Sequence, residues 1–209
     1  MGNGNVRESN SVIGDLQQAL KLIELPYADG LYDWQADLMV RKNKDREITS
    51  ARSITSISFR GFAAKGWLYS SSNKTDRTTI RKLASTLAKS TGGATARLAK
   101  PSAIKVDEKL PVEKDTQQVP LEEKLQRVRD IFNLARSMDS RILDVRVNYY
   151  ETIMERALVT SRGTRARQVI PRTRIAVEVV AKENGVTDHD YLNPVSYTHL
   201  RAHETGRKL

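Results

Sequence analysis

The 209 residues carry 35 lysines and arginines against 25 acidic groups, a net charge of +10, and not one cysteine. The missing thiols exclude disulfides, cysteine nucleophiles, iron–sulfur clusters and cysteine-ligated zinc within this sequence, and are consistent with a cytoplasmic home. A mean hydropathy of -0.52, with no apolar run near the ~20 residues of a membrane helix, describes a chain able to bury a core in one or two domains.

Asn10 and Ser11 stand as caps before a first helix, whose apolar residues Val12, Ile13, Leu16, Ala19, Leu20 and Ile23 recur at helical spacing until Pro26 stops it. From Tyr27 to about Ser72 the text turns β-branched and aromatic, punctuated by N43-K44-D45 and A64-K65-G66, which predicts an antiparallel meander. Within it SITSISFRGF alternates, with Ile54, Ser56, Ser58 and Arg60 facing one way and Thr55, Ile57, Phe59 and Gly61 the other. Asp76 or Thr75 caps a second helix with the stripe Ile80, Leu83, Ala84, Leu87 and Ala88, ended by Gly92 and Gly93.

Residues 99–119 hold Pro101 and Pro111 among many charges and read as an extended linker. Pro120 opens a third helix, with Glu122 and Glu123 at the positive end of its dipole and a buried stripe of Leu121, Leu125, Val128, Ile131, Phe132, Ala135 and Met138. Three strand runs follow: Ile142 to Tyr150, Ile153 to Thr160, and Arg172 to Ala181. Strands grouped in this way predict an α+β fold, a mostly antiparallel sheet packed with about three helices. The expected divisions are a helical region over 1–26, a main domain over 27–186, a polar loop over 187–193 after N184-G185, and a tail over 194–209.

The search for chemistry finds no catalytic, cofactor-binding or metal-binding set. Gly61 and Gly66 have half the spacing of a phosphate loop, but Trp67 and Leu68 stand where its lysine and hydroxyl belong, so a glycine hairpin is expected. Gly163 in TSRGTRA reads as another turn. Glu122 and Glu123 are adjacent and read as a solvated first turn rather than an acid–base pair. His189, between Asp188 and Asp190, resembles a carboxylate-oriented histidine, yet no motif supplies it with a nucleophile.

Two basic stretches suit phosphate contacts: Arg156, Arg162, Arg165, Arg167, Arg172 and Arg174, and Arg41, Lys42, Lys44 and Arg46. Aromatics are only 6% of the chain and are not interleaved with them as base-stacking surfaces require. A protein partner is therefore favoured over nucleic acid, with a stand-alone basic nucleic-acid-binding module as the alternative. The start, MGNGNVRESN, has no basic-then-apolar signal pattern, and Val6 stands where myristoylation favours Ser or Thr, so no membrane partner is expected.

The final stretch holds His199, His203 and Glu204, two imidazoles one helical turn apart. The zincin order places the glutamate directly after the first histidine, which is not the order here, and no third ligand is evident. The run PVSYTHLRAHET is similar to a translated sequencing-adapter oligonucleotide, so 194–209 is expected to be non-native and 194 to mark where the native sequence was lost.

As a whole the body resembles the N-terminal domain of the TldD/PmbA metallopeptidases, also known as modulators of DNA gyrase. The stretches that carry this are YADGLYDWQADLMVRKNKDREI, with its Tyr-Ala-Asp opening; SITSISFRGFAAKGWLYSSS, with Arg60, Gly66 and Trp67 at matching places; the helix-to-sheet passage from Val119 to Thr164; and PRTRIAVEVVAKENG. Ser56 and Ser58 depart from the glycines expected before the arginine. The resemblance implies a parent zinc peptidase acting on unfolded or small peptides and pairing with a homologous subunit, its zinc ligands lying in a C-terminal domain beyond this sequence. For this chain it implies a non-catalytic role in substrate access and subunit contacts.

Overall fold

The computed structural model describes residues 2–63, 66–89, 98–99, 102–112, 115–193 and 195–196. Among these are α1 (Gly2–Leu20), β1 (Tyr27–Lys42), β2 (Glu47–Ala63), β3 (Gly66–Ser72), α2 (Arg77–Ala88), β4 (Lys105–Lys109), a 3-10 turn (Thr116–Gln118), α3 (Leu121–Ser137), β5 (Ile142–Thr160), β6 (Arg165–Glu183), β7 (Val186–Leu192) and β8 (Val195–Ser196). The strands hydrogen-bond in the order β3-β2-β1-β5-β6-β4, with β7 and β8 also pairing with β6. This is the predicted α+β fold with a mostly antiparallel sheet. The chain divides into two compact units: Met1–Gln35, Ser53–Leu110 and Met154–Ile170 form the first, and Ala36–Arg52, Pro111–Ile153 and Pro171–Leu209 the second.

In the first unit, Ile13, Leu16 and Leu20 of α1 and Ile80, Ala84 and Leu87 of α2 meet Ile57 and Phe59 of β2 and Val159 of β5 in one buried cluster. Each such side chain contributes about 1.5–3 kcal/mol on burial, which explains why the helical and two-residue periods were readable. Asp76 is the cap of α2, accepting from the Thr79 backbone N–H at 2.9 Å and hydroxyl at 2.6 Å. The helix ends at Ala88; Gly92 and Gly93 lie outside the described residues, as do Ala64, Lys65 and Pro101. The first helix begins earlier than predicted, at Gly2, with Asn10 and Ser11 inside it; its opening turns carry no apolar stripe from which the start could be read. The presumed linker contains a strand: β4 pairs in parallel with β6, Lys105 opposite Arg165 through Lys109 opposite Val169. Its charged residues gave no strand pattern, since four of its five are exposed.

In the second unit, Val128 and Ala135 of α3 pack with Val40 of β1 and Val145, Val147 and Tyr149 of β5, with Ile175, Val177 and Val179 of β6 alongside. Two ends of the predicted stripe are exposed, Leu121 and Met138. Leu121 is the first helical residue, and helical side chains lean toward the N-terminus, off the packed turns; Met138 is already the C-cap. Between them Lys124 is buried, which the pattern did not foresee.

The strand runs predicted to break after Tyr150 are one strand, β5. Its odd-numbered positions from Val145 to Val159 are all buried, and two of them, Glu151 and Glu155, are carboxylates. These charges interrupt the apolar text without interrupting the strand. The stretch 187–193 is likewise mostly strand: Asn184 (φ 49°) and Gly185 (φ 82°) form a two-residue reversal that sets Glu183 opposite Val186 and starts β7.

Candidate functional site

The residues carrying the family-like pattern converge in the first unit. Asp29, near the start of β1, is fully buried and receives Arg60 of β2 through both prongs of the guanidinium, Nε to Oδ1 at 2.9 Å and a terminal nitrogen to Oδ2 at 2.7 Å. Side chains of one strand face alternate between sheet faces, so Asp29 and Arg60 meet only because β1 and β2 are in register. Trp67 of β3 lies with its ring 5.6 Å from the Arg60 guanidinium, and the rings of Tyr27 and Phe62 stand edge-on to it at 5.8 and 5.4 Å. Arg162 covers Tyr27 at 5.3 Å. The start of β1 is tied to the turn after β5: the Ala28 N–H donates to Ser161 Oγ at 3.0 Å, and the Ser161 N–H to the Ala28 carbonyl at 2.8 Å.

The local sequence explains this fit. Gly61 lies beside Arg60, and a Cβ there would stand 2.5 Å from Leu25 Cδ1, so the absence of a side chain lets Leu25 close over the strand. Gly66, at φ +127°, reverses the chain so that Ala63 opposes Gly66 and Phe62 opposes Trp67. Ser56 and Ser58 lie in regular β2, and Asn184 is the single non-glycine residue with positive φ among the described residues, so replacing the family glycines leaves the backbone extended.

The electrostatics suit binding rather than proton transfer. Hydrogen bonding to Asp29 raises the Arg60 pKa further above its already high ordinary value, and burial, followed by the Asp29 charge, raises that of Tyr27. Both groups keep their protons near neutrality. The cluster thus braces an edge: β3 ends the strand order, α2 packs against it, and Trp67 and Tyr69 are exposed on it.

The other sequence candidates are dispersed. Gly61 and Gly66 belong to the β2–β3 hairpin, with no helix following as a phosphate loop requires. Gly163, at φ +89°, makes the β5–β6 turn. Glu122 accepts from Arg129 at 2.8 Å on the solvent side of α3. His189 is exposed on β7, where Asp188 and Asp190 project to the opposite strand face and accept the N–H of the following residue. No carboxylate of that pair orients the imidazole.

The arginines are mostly engaged within the protein. Arg156 binds Asp33 at 2.5 Å, and Arg167 bridges Glu155 and Asp107 at 2.7 and 2.8 Å. Arg162 donates to the Ala99 carbonyl, Arg165 reaches Asn10 at 3.2 Å, and Arg174 donates to Tyr191 Oη and Asn193. Sequence reasoning missed Lys124, Glu151 and Glu155 and read Arg167 only as part of a basic stretch. The signal on β5 was a carboxylate at 151 and 155, where the two-residue period calls for an apolar side chain.

Zinc finds no fit among the described residues, which hold no group of three or more His, Cys, Asp or Glu side chains able to surround one ion. His199, His203 and Glu204 lie outside the described residues. No helix among the described residues is long and apolar enough to cross a membrane.

Comparison with known proteins adds a family. The sequence profile described as the PmbA/TldA metallopeptidase central domain matches residues 114–208, a span that also takes in most of the tail. No curated protein matches by sequence. Three solved structures share the fold. A Bacteroides thetaiotaomicron protein described as a modulator of DNA gyrase gives a TM-score of 0.70 at 14% identity, covering 91% of this chain and 45% of its own. TldE from Thermococcus kodakarensis gives 0.67 at 14%, covering 89% and 43%. A Thermotoga maritima protein, also described as a modulator of DNA gyrase, gives 0.69 at 8%, covering 90% and 43%. The chain thus spans less than half the length of each.

Proposed function

We propose that this chain, of which residues 114–208 match the PmbA/TldA metallopeptidase central domain, serves a zinc peptidase as a non-catalytic part, admitting small or unfolded peptides and contacting a homologous subunit. The carrying observation is the β3 edge. It pairs with β2 on one side only, is backed by α2, and is braced through Trp67 by the Asp29–Arg60 clamp. A free edge can hydrogen-bond the main chain of an extended peptide and tolerate many side chains, while exposed Trp67 and Tyr69 add apolar contact. Proteolysis, the subunit partner and a cytoplasmic location belong to this reading.

Fluorescence anisotropy with unstructured peptides of varied sequence tests it. Binding that survives side-chain changes, but is lost when the peptide backbone is N-methylated or Trp67 and Tyr69 are replaced by alanine, supports the edge. Salt-sensitive retention on DNA without peptide binding would favour the basic nucleic-acid module. Co-purification with a second family member tests the subunit contact.

A further inference from the structure

In the second unit α3 covers one face of β1, β5 and β6, and the two-residue period sends the intervening side chains to the other face. There a cleft of about 460 Å³ is lined by Arg41 of β1, Asn43 and Arg46 of the β1–β2 turn, Arg146 and Asn148 of β5, and Glu178 of β6. Its volume falls within the range of about 300–1,000 Å³ typical of ligand sites.

The hydrogen bonding within this lining is one-sided. Asn43 Oδ1 accepts from the N–H groups of Asp45 and Arg46 at 3.0 and 2.9 Å, and Asn148 Oδ1 accepts from Arg41 Nε at 2.7 Å. Both amide oxygens are therefore occupied and both amides keep their NH2 donors. Arg41 has its terminal nitrogens left over, and the Arg46 side chain has no partner among the described residues. Arg146 lies 3.5 Å from Glu178 and 3.7 Å from Asp144, beyond the roughly 2.7–2.9 Å of a strong charge-assisted bond. Arg129–Glu47, in the same unit, closes to 2.8 Å. The lining carries three guanidinium charges against the carboxylate of Glu178, with Asp144 beside Arg146 as a second, a surplus of one.

We propose that this cleft binds carboxylates of an acidic peptide segment. Guanidinium forks match the planar carboxylate in two-point contact, and Arg41 and Arg46 carry no ion pair within the cleft. The lining has no aromatic ring on which a nucleic-acid base would stack. The site belongs wholly to the second unit and the β3 edge to the first, so it stands without that edge.

The test uses the whole 209-residue chain and a fluorescein-labelled glutamate-rich peptide, with a serine-rich peptide of equal length, inorganic phosphate and single-stranded DNA as comparisons. Arg146→Gln and Arg46→Gln should each weaken the glutamate-rich peptide about tenfold, and Arg146→Lys by less. Arg46 is exposed and unpaired, so its variant keeps the fold, which a melting curve checks. Arg127→Gln, on the exposed side of α3, removes the same charge and should change nothing. Equal weakening by Arg127→Gln, equal binding of the serine-rich peptide, or displacement by phosphate or DNA below the concentration at which the glutamate-rich peptide binds would overturn the assignment. N-methylation of the peptide, which abolishes edge binding, should leave this binding in place.

Discussion

Lys124 and Glu151, 27 positions apart in the sequence, meet at 2.6 Å with both side chains out of solvent. Tyr149 Oη donates to the same Glu151 oxygen, also at 2.6 Å. One carboxylate thus joins α3 to β5 within the apolar cluster of the second unit.

Breaking that pair strands a buried charge, which costs about 3–5 kcal/mol. Glu151→Gln should therefore lower stability in urea unfolding by about that amount. Replacing both partners by methionine together with Tyr149→Phe should recover most of the loss, because the desolvation penalty disappears with the charges and no buried hydroxyl is left without an acceptor. A single variant as stable as the parent would contradict the pairing.

The Asp29–Arg60 clamp should respond asymmetrically. Arg60→Ala leaves a fully buried carboxylate without its counter-charge, with Tyr27 as a remaining hydrogen-bond partner, and is expected to cost about 3 kcal/mol, the low end for a stranded charge. Asp29→Ala leaves a guanidinium that already reaches water and should cost less. Equal melting temperatures for the two variants would refute the asymmetry.

Gly61→Ala should destabilise by about 1 kcal/mol, the low end for overpacking, because the new methyl meets Leu25 Cδ1, the end of a half-buried side chain that can shift, and Leu87 Cδ2 at 3.2 Å. Leu25→Ala removes the obstructing atom. The combined variant should therefore lose less than the sum of the two single losses, measured by urea unfolding.

The pH limbs have named groups. The Arg141 guanidinium holds Asp139 well below the usual carboxylate range, and the Arg129 guanidinium lowers Glu47. Their stabilisation is present above an unfolded pKa of about 4 and is lost as pH falls below it; Asp139→Asn should flatten this limb of a melting-temperature profile. Tyr149 is shifted the other way, by burial first and by Glu151 next, so its contribution is complete below about pH 10 and is lost as pH rises beyond that. Tyr149→Phe should remove the alkaline loss attributable to this residue.

Where apolar residues repeated cleanly, the sequence was legible. Ile80, Ala84 and Leu87 at helical spacing, and Ile57 and Phe59 at strand spacing, are buried as predicted. Tyr27, Asp29, Arg60 and Trp67 could be singled out by resemblance, but their convergence depends on the register of three strands and is not written in any local stretch. Glu151 misled the strand reading because its cation, Lys124, comes from another element. β4 escaped because a charged five-residue strand carries no alternation to read; its identity comes from the partner it joins.

That parallel pairing sets an order of events at synthesis. Lys105 waits for Arg165, and the cluster around Phe59 waits for Ala157 and Val159, so the first half of the chain leaves the ribosome before its closing strands exist. At about 5–20 residues per second, the cluster around Phe59 stands without Ala157 and Val159 for several seconds. During that interval part of its apolar surface faces water, so slower translation after residue 110 should lower its soluble yield.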